Sequence, residues 1–100
     1  MSIFSLTLHP TYYNQGFFNV TVDYDQFIKP QEGPVLLRLG LRGPEIQGRI
    51  NRKANRNGTP RIIGGANLRD WFQKNFEPMR IVTVDLSSQE IIIFHKQSDG

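Results

Sequence analysis

Residues 48–61, GRINRKANRNGTPR, hold most of the side chains that could do chemistry. Five are cationic, Arg49, Arg52, Lys53, Arg56 and Arg61, interleaved with Asn51, Asn55 and Asn57 and with no acid among them. Arg and Lys supply contacts to phosphates and to the guanine edge, and Asn can pair bidentately with adenine. The combination points to nucleic acid. The plainer explanation is structural, since asparagine favours turns and arginine favours surfaces. A second group, Tyr12-Tyr13-Asn14-Gln15, sets two rings that could pack on a sugar or stack on a base beside two amides that could read base edges. It reads equally well as a polar loop whose tyrosines lie on the core.

Charge distribution supports the first group. The net charge is +3, and it is unevenly spread. Residues 1–37 carry a balance of −2 and residues 62–100 a balance of −1. Residues 38–61 hold seven Lys or Arg against the single Glu45, a balance of +6. A basic stripe on a near-neutral scaffold is the electrostatic footprint expected for a polyanion partner.

Catalytic patterns are missing. His9 and His95 stand at opposite ends of the chain without metal-spaced neighbours. Asp23 and Asp25 could pair as carboxylates, yet they sit where a strand leaves the sheet. Glu45-Ile46-Gln47 echoes a metal-dependent nuclease only faintly, lacking a partner Asp and the usual Lys. Gly64-Gly65 lacks the Lys-Ser/Thr of a phosphate-binding loop. The expectation is a non-enzymatic domain with no cofactor and no metal. With no cysteine, disulfides and thiolate metal sites are excluded. The start, MSIFSLTLHP, does not read as a signal peptide, and no apolar run reaches the roughly 20 residues of a membrane span. A cytoplasmic protein with no membrane partner is expected.

The elements that must position these residues follow from periodicity. One compact domain is the default for 100 residues, with 38% apolar content and seven Phe to fill a small core. Strands are predicted over residues 3–8, 17–23, 35–39, 45–53, 59–63, 80–86 and 90–95. In the fourth, Glu45, Gln47, Arg49, Asn51 and Lys53 alternate with Ile46, Gly48 and Ile50, so one face packs and the other meets solvent or a ligand. Asn57-Gly58 predicts a tight hairpin turn with positive φ at both residues. Residues 11–16 read as a loop, and 24–28 as a short helical turn. One main helix is predicted over 68–76, with Leu68, Trp71, Phe72 and Phe76 on its apolar face, Asn67 as its cap and Pro78 preventing continuation. The fold class is mainly β with one main α-helix, a seven-stranded open pseudobarrel capped by that helix. Residues 1–95 form the domain, and 96–100 read as a linker or a truncated tail.

The order FFNVTVDYDQFI, GPVLLRL, EIQGRINR, NGTPRIIGGANLRDWFQKNFEPMRIVTVDL, EIIIF resembles the B3-type DNA-binding pseudobarrel. That family occurs in plant transcription factors and in bacterial restriction endonucleases, and the pattern here is closer to the bacterial branch, similar to the recognition domains of EcoRII and BfiI. The densest match is Ile62 to Leu86, which looks like the family's glycine-then-helix element with a buried Trp. Where the family usually places an acid before the following strand, this chain has Met79-Arg80. The resemblance implies sequence-specific binding of double-stranded DNA by two arms docked in the major groove. By position they are Tyr12, Tyr13, Asn14 and Gln15, and the segment from Arg49 to Arg61. It does not say which side chain meets which base. It further implies a recognition or effector part of a restriction endonuclease, with a separate nuclease domain elsewhere in a longer chain and a monomer when isolated. Binding of single-stranded DNA or RNA by a small β-barrel, with Tyr12 and Tyr13 as stacking platforms, is the alternative.

Overall fold

The computed structural model describes residues 2–96. Its elements are β1 (Ile3–Thr7), α1 (Pro10–Gln15), β2 (Phe17–Asn19), a 3-10 helix (Val22–Phe27), β3 (Gly33–Leu39), β4 (Glu45–Asn51), β5 (Arg61–Ile63), α2 (Gly65–Asn75), β6 (Ile81–Asp85) and β7 (Ile91–His95). The seven strands make one sheet in the order β1-β6-β7-β3-β4-β5-β2. Only the β3–β7 pair is parallel. The sheet curls into a nearly closed barrel whose edges, β1 and β2, are consecutive in sequence and joined through α1. This is the mainly β, seven-stranded architecture that the strand spacing predicts.

Alternation builds the core. Leu6, Phe18, Leu37, Ile50, Ile62, Val84 and Phe94 all point inward and are buried. Gly48 occupies an inward position of β4 because Leu37 fills the space: a Cβ there would lie 2.7 Å from Leu37 Cδ1. The helix α2 caps the barrel end at which β3 and β7 finish. It buries Leu68, Phe72 and, just beyond its last turn, Phe76. Trp71 is half-buried, packed against the core and meeting Phe94 edge-on at 6.0 Å. Among the described residues no helix is long and apolar enough to cross a membrane. The expected tail lies outside the described residues except for Lys96.

Four local expectations are corrected. Residues 10–15 form α1 where a loop was expected. Pro10 presets the first turn, and Gly16 closes the helix in the left-handed conformation, φ 77, with its N–H donating to the Tyr12 carbonyl. The strand expected over 17–23 stops at Asn19. Val20 still donates its N–H to the Pro60 carbonyl, but Val22 is 65% exposed and the chain enters the 3-10 helix. The helical turn expected at 24–28 is the later part of that helix.

The Asn57-Gly58 pair does not make a tight hairpin. Gly58 alone has positive φ, β5 begins only at Arg61, and Lys53 lies in a nine-residue loop, 52–60, rather than on β4. Last, α2 begins at Gly65 with Gly64 as its cap, so Asn67 lies inside the helix and does not cap it. The cause is tertiary: the N–H groups of Gly64 and Gly65 both donate to the Gly16 carbonyl, at 2.9 and 3.0 Å.

Candidate nucleic-acid interface

The outward residues of three neighbouring strands form a floor. Strand register places Arg49, Ile63 and Phe17 in one row across β4, β5 and β2, and Asn51, Arg61 and Asn19 in the next. Side chains in such rows are direct neighbours on one face. The two segments singled out by their chemistry flank this floor: α1 leads into β2, and the 52–60 loop connects β4 to β5.

Asn19 joins the two segments. Its amide nitrogen donates to the Tyr12 hydroxyl (3.3 Å), and its carbonyl oxygen accepts from Asn55 Nδ2 (3.1 Å) and from Arg61 Nε (3.0 Å). One side chain thereby fixes a residue of α1, a residue of the loop and a residue of β5. Arg61 is held a second way, with its guanidinium carbon 4.5 Å from the centre of the Phe17 ring. Tyr12 in turn packs edge-on against Phe17, ring centres 5.5 Å apart. Arg61 is thus fixed at Nε and by its plane, while its two terminal nitrogens have no partner among the described residues. A guanidinium presented in this way keeps the two-nitrogen fork that matches guanine O6 and N7.

The asparagines of the second segment build the loop. Asn51 Oδ1 accepts from the N–H groups of Lys53 and Ala54 (2.8 and 3.1 Å). Asn57 Oδ1 accepts from the Thr59 N–H and hydroxyl (3.2 and 2.7 Å). Asn55 bridges to the Thr59 carbonyl as well as to Asn19. Each side chain satisfies backbone groups that a nine-residue loop would otherwise leave open.

Arg52 is a clamp. Its guanidinium pairs with Asp25 and donates to the carbonyls of Ile28 (3.3 Å) and Lys29 (2.9 Å), while its own N–H donates to Glu32 (2.9 Å). Only 19% of its side chain is exposed. It ties the loop to the segment that follows the 3-10 helix, and its positive charge is neutralised there.

The remaining cations are open. Arg49 and Arg56 are exposed and have no ion-pair or hydrogen-bond partner among the described residues. Lys53 is 87% exposed, with Glu32 at 3.9 Å. In α1, Asn14 and Gln15 are exposed without side-chain partners among the described residues. Tyr13 is turned back into the molecule, its hydroxyl donating to the Phe76 carbonyl at 2.9 Å.

The structure thus brings Tyr12, Arg49, Asn51, Asn55 and Arg61 onto or beside one floor. It sets Arg52, Lys53, Arg56 and Asn57 in the loop at its border, with the Arg52 guanidinium bound to Asp25 and to the carbonyls of Ile28 and Lys29. Two residues of the floor, Phe17 and Asn19, are not legible as functional from residue type alone. Asn19 carried a signal, since Asn is uncommon inside a strand of aromatic and β-branched neighbours.

The acid–base landmark of the molecule lies elsewhere. On β6, Asp85 is held below the usual carboxylate range, chiefly by the Ser87 hydroxyl that donates to it. Among the described residues no three His, Asp or Glu side chains gather as a metal site. Comparison of this chain with protein-family models, with curated proteins and with solved structures finds no match.

Proposed function

We propose that this chain binds double-stranded DNA in a sequence-specific manner through the β4–β5–β2 floor and its two flanking segments, and that it performs no catalysis itself. The observation that carries the reading is the division of labour around Asn19. Arg61 is oriented by Asn19 and Phe17 with its terminal nitrogens open, and Arg49 and Arg56 stand near it without acids. Oriented donors suit base edges, and open cations suit phosphates. Three strands at about 4.8 Å spacing make a floor roughly 10 Å across, comparable with the width of about 12 Å of the major groove.

Tyr12 and Tyr13 both have their hydroxyls engaged and their rings packed against the protein. That favours a duplex over a single strand stacked on free rings. The resemblance of the sequence to B3-type domains supports the same reading. It extends the proposal to a recognition or effector role in a cytoplasmic restriction endonuclease whose nuclease is a separate domain.

Selection of bound duplexes from a random library tests the proposal. A defined consensus is expected, bound more tightly as duplex than as either of its single strands. Equal recovery of all duplexes, or tighter binding of the single strands, would sink it.

A further inference from the structure

A second basic cluster lies at the far end of β4. The β3–β4 turn, residues 40–44, and the 52–60 loop sit at opposite ends of that strand. Seven residues at about 3.3 Å each separate them by roughly 20 Å. There the turn, the last turns of α2 and Lys96 enclose a cleft of about 410 Å³. That volume falls in the range of small-molecule sites.

Among the described residues three cationic side chains line the cleft, Arg42, Lys74 and Lys96, and no carboxylate does. Arg42 and Lys74 are exposed and have no ion-pair or hydrogen-bond partner among the described residues. Glu45, three residues from Arg42, is bound to Arg38 at 2.9 Å, and Glu77, three residues from Lys74, lies 3.5 Å from Arg80. Trp71 forms the aromatic wall. Its ring is braced from behind by Phe76 and Phe94, at 5.5 and 6.0 Å between ring centres.

The opposite rim is stiff. Gly40 adopts φ 94 and donates its N–H to the Phe94 carbonyl, and a Cβ on Gly43 would collide with the Leu39 carbonyl oxygen at 1.5 Å. The stem of Lys96 lies against Gly40, whose hypothetical Cβ would sit 3.5 Å from Lys96 Cδ. Lys74 alone would be explained by the helix dipole, which favours a cation in the last turn. The dipole gives no reason for Arg42, on the β3–β4 turn, to line the same space. Two helix-end carbonyls that would oppose an anion are already partnered: Trp71 accepts from Asn75 Nδ2, and Phe76 from the Tyr13 hydroxyl.

We propose that this cleft binds a nucleoside phosphate, with the base against Trp71 and the phosphate between Arg42 and Lys74. A free mononucleotide and the 5′-phosphorylated end of a strand share that chemistry. The site is independent of the floor described above.

Trp71 is the only tryptophan of the chain, so its fluorescence reports the cleft directly. The full chain is titrated at low salt with AMP, adenosine and inorganic phosphate, each corrected for ligand absorbance against free tryptophan. Saturable quenching by AMP at or below about 1 mM is expected, a modest affinity for a small ligand. Adenosine should quench far less, and phosphate should compete without quenching. Arg42→Gln and Lys74→Gln replace exposed side chains outside the core, so both variants should fold, and each should weaken AMP about tenfold or more.

A 5′-phosphorylated trinucleotide that binds more tightly than AMP, and more tightly than its unphosphorylated form, identifies the occupant as a strand end. Equal binding of AMP and the trinucleotide identifies it as the free nucleotide. The doubly substituted Arg49→Ala, Arg56→Ala chain should quench like the parent, which separates this site from the floor. Absence of saturable quenching by every phosphate-bearing probe overturns the proposal, as does quenching that survives both Arg42→Gln and Lys74→Gln.

Discussion

The two segments that flank the floor are stabilised by opposite means. The first, α1, carries no charge and is held from behind by residues 48 to 63 positions away. Gly16 accepts from Gly64 and Gly65, Tyr13 donates to Phe76, and Gln73 donates to the Tyr13 carbonyl. The second, the 52–60 loop, carries the charge; Asn51, Asn55 and Asn57 hold it from within, and the Arg52 clamp ties it to residues 25–32. Residue type therefore does not assign role. The asparagines and Arg52, which looked like readers of DNA, are largely spent on shape. What remains for a ligand is Arg49, Lys53, Arg56 and the fork of Arg61.

Breaking the first segment should have the largest effect. At Gly16 φ is 77, and an added Cβ would lie 2.1 Å from the Gly65 carbonyl oxygen. Gly16→Ala is expected to lower stability by about 2–4 kcal/mol, seen as a fall in the denaturant midpoint, because strained φ and overpacking add. No substitution of an open cation in the second segment should approach that. An equal loss from Arg56→Ala would erase the contrast between the segments.

Arg52→Ala comes next, at about 1–3 kcal/mol of stability, since it leaves Asp25 and two carbonyls without their donor. It should also weaken DNA binding by loosening the loop while leaving the salt dependence of binding unchanged. A shallower salt dependence in that variant would return Arg52 to the role of a phosphate contact.

Arg61→Lys keeps the charge and removes the fork. It should cost about 1–3 kcal/mol on the selected duplex and less on random DNA. Equal losses on both would make Arg61 a phosphate contact. Asn57→Ala should have the smallest effect, about 1 kcal/mol of stability from two lost hydrogen bonds to Thr59, with the preferred DNA sequence unchanged. A changed preference would give Asn57 a direct reading role.

The barrel was legible because its signals are local. Alternation in β4, the apolar runs of β3 and β7, and the helical spacing of Leu68, Trp71, Phe72 and Phe76 each declare an element within a few residues. The misread parts depend on distant partners. PTYYNQ has no apolar periodicity and is helical because Gly16 docks on α2 and Tyr13 reaches Phe76. The start of α2 at Gly65 and the width of the 52–60 loop likewise depend on groups that only the folded chain brings near. The same limit applies to the floor: its cationic strand was visible, whereas Asn19 became central only once its three partners were in place.

The salt dependence of duplex binding tests the central claim most directly. The logarithm of the association constant is measured against the logarithm of salt for the parent, for the Arg49→Ala, Arg56→Ala double variant and for Arg52→Ala. Each phosphate contact contributes about 0.9 to the slope, so the double variant should be shallower by about 2 and the Arg52 variant should match the parent. A double variant with the parent's slope, or a parent that binds no duplex, would contradict the account.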